Sequence, residues 1–493
     1  MSDAPMEVVI VGRGLAASMA AVQLVQALPS RQVRVSVLAI PAVGDGDPEF
    51  GVEATLPGFA QWNARYGISE EALVRQGCAS FSLGTAYSGW SAAGGSTFQP
   101  FGEIGSALEG VAFHQLAERL RQAGVAVRLA DFSIAAMAAQ AGRFGRPSPD
   151  PRSPLSLLDY GLHLDRKRTA ELLLRKAGQF GANLPTAGLS DLVVGKNGEV
   201  EAAILDDGSR VSGDLWIDAS ASAAVLSSKL PGSAWVSWDQ WLPATMVVAM
   251  TRRSAVPPAP YAHVVAEAIG WRRIVPTQER FTETIAGDES APAVEQTSDV
   301  EGFARFRLEQ GRRAEAWVGN CIALGTAATM LEPTAPFELH LVQRQLEGLV
   351  RLFPAGAGTA AERREFNRHF AQEADRARDF VIARAILCGH HGRHWDRVRA
   401  MTPPAELAAK IALFRSRGRV PLLEGEPMEE ADWASLFDQL GVRAHRVDAL
   451  ADALPIERLQ AQLTRMRQVM IAAVAPLPLH GEVLAGLARR QAA

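Results

Sequence analysis

Val8-Val9-Ile10-Val11-Gly12-Arg13-Gly14-Leu15-Ala16-Ala17-Ser18-Met19-Ala20-Ala21 is the stretch on which the fold turns. Four β-branched apolar residues read as a buried strand, and the small apolar residues after them recur at helical spacing. Between the two stands a Gly-x-Gly-x-x-Ala turn. In such a turn Gly12 takes the tight bend, Gly14 lets the backbone approach a pyrophosphate, and Ala17 lets the helix pack close to the strand. The helix N-terminus then faces the phosphates. The stretch therefore predicts the first strand-helix unit of a dinucleotide-binding α/β sheet.

Working outward, Val33-Arg34-Val35-Ser36-Val37-Leu38 alternates with a period of two and predicts the second parallel strand. A dinucleotide site often carries an acidic residue at the end of that strand to bind the ribose hydroxyls. Here the strand runs into Ala39-Ile40-Pro41, which leaves Asp45 or Asp47 as substitutes.

At 493 residues and 48% hydrophobic content the chain can bury a large core and a second lobe. A net charge of −4 gives no electrostatic case for nucleic acid or an anionic membrane, so a small-molecule partner is expected. Cys78, Cys321 and Cys388 are widely spaced, and no signal peptide precedes the first strand, which predicts a reduced, cytoplasmic setting. The apolar run over residues 8–28 carries Arg13, Gln23 and the glycine turn, so it reads as strand plus helix and not as a membrane span.

Further along, Glu53-Ala54-Thr55-Leu56-Pro57 and Ala79-Ser80-Phe81-Ser82-Leu83-Gly84-Thr85-Ala86-Tyr87-Ser88-Gly89-Trp90 resemble two motifs of the flavin-dependent tryptophan halogenases. In that family they run Gly-Val-Gly-Glu-Ala-Thr-x-Pro and aromatic-Lys-x-x-x-x-Phe-x-x-Trp. Tyr160-Gly161-Leu162-His163-Leu164-Asp165 is similar to the family's Tyr-x-x-His-Phe-Asp helix start, with Asp165 placed to cap the helix over residues 169–180. Leu215-Trp216-Ile217-Asp218-Ala219-Ser220, the segment from Arg305 through Gly325 to Leu331-Glu332-Pro333, and the stretch 433–441 continue the match in order along the whole chain.

The resemblance implies an FAD-binding Rossmann-like domain of the single-component flavin monooxygenase type over residues 1–358. A helical lobe over residues 359–493 would roof the substrate site. It implies FAD, reduced by a separate flavin reductase, and a small aromatic substrate. No second glycine fingerprint suggests a bound nicotinamide domain. The cofactor-binding residues so implied are Gly12, Gly14, Ala17, Glu53, Ala54, Thr55, Asp218, Gly325 and Pro333. Trp271, Arg273, Phe337 and Trp395 are assigned to the substrate pocket.

In the family, the oxidant made from reduced flavin and oxygen converts halide to hypohalous acid. This travels to a lysine beside the substrate, while a nearby glutamate stabilises the charge on the attacked ring. Here Ser82 stands at the lysine and Ala335 at the glutamate, while Phe337 and Glu338 fall on the Thr-Gly pair associated with halide. A hydroxyl has neither the charge nor the nucleophilicity of an amine, and a carboxylate beside a halide repels it. The chain's five lysines all lie outside these motif segments. Trp271-Arg272-Arg273-Ile274-Val275-Pro276 resembles the family's Trp-x-Trp-x-Ile-Pro with Arg273 for the second tryptophan, reading Val275 as an extra residue before the proline or the first Trp as shifted.

These departures favour oxygenation or oxidation over halogenation, with Ser82, Glu338 and His340 as candidate catalytic groups. A true halogenase with a rearranged site and a non-catalytic flavin-binding protein are the alternatives. Cys388-Gly389-His390-His391 followed by His394 has the look of a metal cluster but lacks a second ligand set, so no metal is expected. His163 and His340 read as core or pocket-lining histidines before they read as acids or bases.

Overall fold

The computed structural model describes residues 4–40, 51–196, 198–288, 299–354 and 359–489. Asp45, Asp47 and the domain boundary expected at 358/359 lie outside the described residues.

β1 (Met6–Val11), α1 (Leu15–Ala27) and β2 (Val33–Leu38) follow the order that the opening stretch dictates. Val8 to Val11 are each at most 1% exposed, as a strand covered on both faces requires. β1 pairs in parallel with β2 on one side and with a later strand on the other.

Between them in sequence come β3 (Val52–Ala54), β4 (Ala79–Ser82), β5 (Gly84–Ser88), β6 (Ser96–Pro100) and β7 (Gly161–Asp165). β7 leads directly into α2 (Arg166–Gln179). Asp165 caps that helix by accepting the Arg168 N–H, as its place before the helical run suggests. β3, β7 and β4 form a small antiparallel sheet with β7 in the middle. β8 (Leu215–Asp218) is the second parallel neighbour of β1.

A seven-stranded sheet carries the other wall of the molecule. Its later strands are β9 (Met246–Arg253), β10 (Ala262–Glu267), β11 (Gly270–Pro276), β12 (Arg280–Gly287) and β13 (Val300–Arg307). The order is β13-β9-β12-β11-β10-β5-β6, so β5 and β6 are recruited from far upstream. β14 (Cys321–Ala323) returns to the parallel sheet beside β8.

Further helices complete the frame, among them α3 (Glu338–Arg351), α4 (Ala360–Ile386) and α5 (Glu430–Gln439). The buried faces of α3 and α4 join the same apolar core as β1, so Phe366, Phe370 and Phe380 share a cluster with Val8 and Ile10. The helical region thus covers the sheet without a core of its own. Among the described residues no helix is long and apolar enough to cross a membrane.

Candidate active site

Gly12 sits at φ +131°, and a Cβ there would lie 2.2 Å from the carbonyl oxygen of Ala219. Only glycine fits this close approach between the first turn and the end of β8. Gly14 is the N-cap of α1, and no side chain caps the helix. Gly325, at φ +64°, comes so near the start of α1 that its Cβ would stand 3.1 Å from that of Ala16. Three backbone segments therefore converge on an uncapped helix N-terminus. That cradle fits the phosphates of a dinucleotide.

From Gly325 a cleft runs between the two sheets and α3, holding about 1110 Å³ of empty space counted to its open mouth. Its apolar wall comes from β9 and β13, through Val247, Ala249 and Phe306. The charged residues Glu53, Arg166, Arg273, Glu332 and Glu338 line the same cleft.

Four of these form an alternating ladder. Arg273 Nη2 donates to Glu53 Oε1 at 2.6 Å, and Arg166 Nη1 lies 3.4 Å from Glu53 Oε2. Arg166 then grips Glu338 with both terminal nitrogens, at 2.7 and 3.1 Å. Each member comes from a different element: β3, the first residue of α2, the middle of β11 and the first residue of α3. Burial alone would raise the Glu53 carboxyl. Arg273, Arg166 and the Ala54 N–H together outweigh it and hold the group below the ordinary carboxylate range.

Glu332 is different. Its Oε2 accepts from the Trp271 indole at 3.1 Å and from the Gln310 amide at 3.3 Å, and its N–H donates to Gln310 Oε1 at 3.0 Å. Both side-chain partners are neutral. Burial dominates, only partly offset by these two bonds, and lifts the carboxyl to about 7.

The remaining residues singled out from sequence divide by location. Ala17 is buried in α1. Ala54 gives its N–H to Glu53 Oε1 at 2.9 Å, and the Thr55 hydroxyl accepts the Leu162 N–H at 2.8 Å, tying β3 to β7. The Asp218 carboxylate accepts the N–H groups of Leu226 and Ser227 at 3.0 and 2.7 Å and both serine hydroxyls nearby, so it organises the turn that closes on Gly12. Pro333 and Phe337 line the cleft, and Phe337 packs edge-on against Phe380.

Ser82 is 1% exposed, donates to the Gly84 carbonyl at 3.3 Å and does not line the cleft. Trp395 lies in a second core, edge-on to Trp90 at 5.0 Å, with its indole N–H on the Glu267 carbonyl. His340 is on α3 outside the cleft lining, where burial and then Arg344 push it down to about 4. His163 is fully buried with Nδ1 on the Pro276 carbonyl at 2.8 Å. The Cys388 thiol is buried and accepts the His390 N–H.

Trp271 to Pro276 is six residues long, as is the pattern Trp-x-Trp-x-Ile-Pro, so the reading of Val275 as an extra residue is corrected and Val275 stands at the isoleucine. β11 pairs continuously with β12, Trp271 with Ala286, Arg273 with Thr284 and Val275 with Thr282. Trp271, Arg273 and Val275 therefore share the buried face, while Arg272 and Ile274 are half-buried on the other. Arg166 and Glu332 are the residues that motif reading passed over. Each stood next to a noted residue, Asp165 or Pro333, and Glu332 itself lay within the matched Leu331-Glu332-Pro333 without being given a role.

The fold and cleft define a flavin-binding α/β protein with a helical C-terminal region. The family model described as "Tryptophan halogenase" matches residues 7–456, and the chain belongs to that family. The tryptophan 6-halogenase SttH of Streptomyces toxytricini is 24% identical over 99% of this chain and 99% of its own length. Among solved structures, BrvH, a flavin-dependent halogenase from Brevundimonas sp. BAL3, matches with a TM-score of 0.92 at 30% identity. The match covers 99% of this chain and 100% of that one. Xcc4156, a flavin-dependent halogenase from Xanthomonas campestris, matches with a TM-score of 0.90 at 27% identity, covering 98% of each.

Proposed function

We propose that this chain binds FAD at the Gly12–Gly14 turn, takes it in reduced form from a separate flavin reductase, and oxygenates or oxidises a small aromatic substrate, with indoles as first candidates. Reduced flavin bound there supplies the electrons and the site of oxygen activation. The protein's share is to bind the ring in the apolar part of the cleft, exclude water and place charge around it.

The observation that carries this reading over halide oxidation is the pairing of Glu338 with Arg166 at 2.7 Å, at the position where the resemblance puts the halide segment. Of the five charged residues that line the cleft among the described residues, the two guanidiniums are matched by Glu53 and Glu338, and Glu332 adds a further carboxyl. A halide entering this lining meets no surplus of positive charge to offset its dehydration. Beside the paired Glu338 the carboxylate's repulsion and the Arg166 guanidinium's attraction nearly cancel, so the pair offers a halide no net stabilisation.

The similarity to BrvH, a flavin-dependent halogenase, favours halogenation as the second reading. One product screen separates the two: FAD, a flavin reductase with NADH, oxygen and a panel of indoles and phenols, with and without chloride or bromide. Oxygenated product formed equally without halide supports the proposal. Strict dependence on halide replaces it with the second reading. A protein that binds FAD but yields no product under either condition is a flavin-binding protein without this chemistry.

A further inference from the structure

Among the described residues three carboxyl groups line the cleft, and their surroundings treat them in opposite ways. Glu53 is held by the Arg166 and Arg273 guanidiniums, and Glu338 by that of Arg166. Glu332 is 4% exposed and is met by an indole N–H and an amide N–H. The first two are bound as permanent anions within ion pairs. The third can exist charged or neutral without breaking a pair, because an indole and an amide donate to either form. Carboxyls driven apart in this way within one cavity divide into fixed charge and proton carrier.

We propose that Glu332 is the proton acceptor of this cleft, taking the hydrogen from the ring carbon that has been attacked. The inference rests on the aromatic oxygenation proposed above. When an electrophilic oxygen bonds to a ring carbon, that carbon keeps its hydrogen and the ring carries a positive charge. The Glu332 carboxylate forms an O–H bond to that hydrogen, the C–H electrons return to the ring, and the product is a hydroxylated aromatic. Oxygen and reduced flavin are the co-reactants: one oxygen atom enters the ring, and the other leaves as water with the two electrons.

The geometry around Glu332 suits a group that must stay in place while it changes charge. Its backbone N–H and its Oε2 are both held by the same side chain, Gln310, whose amide also donates to the Leu242 carbonyl at 3.1 Å. Trp271 reaches it from β11, so a strand of the seven-stranded sheet also holds this carboxyl in place. The other charged groups of the lining among the described residues are Glu53, Arg166, Arg273 and Glu338, and none of these lies within ion-pair distance of it. A carboxyl lifted to about 7 is matched to proton transfer near neutral pH.

The test compares wild type with Glu332→Gln and Glu332→Asp, using indole as the probe with FAD, an added reductase and oxygen. In Glu332→Gln the amide oxygen still accepts from Trp271 and Gln310, so the wall is kept while the base is lost. The expected result is a kcat lower by on the order of 100-fold with little change in KM, partial recovery in Glu332→Asp, and an isotope effect on ring-deuterated indole that is larger in Glu332→Gln than in wild type. A Glu332→Gln variant with wild-type kcat and isotope effect overturns the proposal. A second measurement needs no flavin. Glu332 is raised in the folded state, so wild type loses stability relative to Glu332→Gln as pH climbs from 4.5 to about 7. A wild type that turns over no aromatic substrate defeats the functional reading by itself. A melting-temperature difference that stays flat with pH defeats the role of Glu332 whether or not turnover is seen.

Discussion

Arg273 Nη2 lies 2.6 Å from Glu53 Oε1, joining the middle of β11 to β3 across the base of the cleft. Both residues are at most 5% exposed. Removing one partner leaves the other as a buried charge with less compensation, which costs about 3–5 kcal/mol in comparable pairs. Arg273→Met is expected to lose stability of that order in denaturant unfolding at neutral pH. Glu53 is depressed in the folded state, so the pair's contribution is present above the ordinary carboxyl value of 4.5 and is lost as pH falls through the folded value. The penalty of Arg273→Met must therefore shrink in acid. A penalty independent of pH would show that Arg273 acts through packing alone.

Gly12 and Gly14 are expected to fail in different ways. Gly12→Ala forces a Cβ to within 2.2 Å of the Ala219 carbonyl at φ +131°, so about 3 kcal/mol or more of stability should go, together with FAD binding. Gly14 has φ −72°, open to any residue, so Gly14→Ala should fold normally. Its methyl group would stand where the phosphates approach, and FAD affinity should drop by on the order of tenfold. Titration of FAD fluorescence against each variant, beside its melting curve, checks both. Undiminished FAD affinity in Gly14→Ala would remove the turn from the cofactor site.

The contrast between those glycines and the charge ladder shows what the chain reveals by itself. Strand, turn and helix at residues 8–21 are local, and their residue types suffice to predict them. The ladder is not local. Glu53 reaches Arg166 across 113 residues and Arg273 across 220, and Arg166 reaches Glu338 across 172. Nothing in the sequence distinguishes Arg166 from the many other arginines of the chain. Motif position located Trp395 and Ser82 but could not say which face of an element meets the cleft. Strand alternation resolves the same question at β11, where it places Val275 inward and Ile274 outward.

His163 should govern part of the acid limit. Burial, with Arg273 and His480 nearby, pushes its imidazole down to about 3, against a hydrogen bond to the Pro276 carbonyl that works the other way. The unfolded chain therefore binds more protons between about 3 and 6.5, and stability is full above 6.5 and falls below it. His163→Asn can keep a donor to Pro276 and removes the titration. Its acid unfolding midpoint should move to lower pH, even where some stability is lost at neutrality. An unmoved midpoint would mean that other groups set the limit.

Restoring the two residues that the family pattern leads one to expect should not restore halogenation. Ser82 is 1% exposed and shares a sheet face with Ser80 and His163, their registers opposed across β4 and β7. A lysine there would place an ammonium beside a histidine held neutral and away from the cleft lining. Such a group loses its proton or destabilises the fold by several kcal/mol. Ala335 does line the cleft, but a glutamate there adds a fourth carboxyl to Glu53, Glu332 and Glu338. The double variant Ser82→Lys, Ala335→Glu is therefore expected to melt earlier than wild type and to form no product that depends on chloride or bromide. Halide-dependent product from it would show that these two side chains alone separate this chain from halogenation, and that the paired Glu338 is no barrier to a halide.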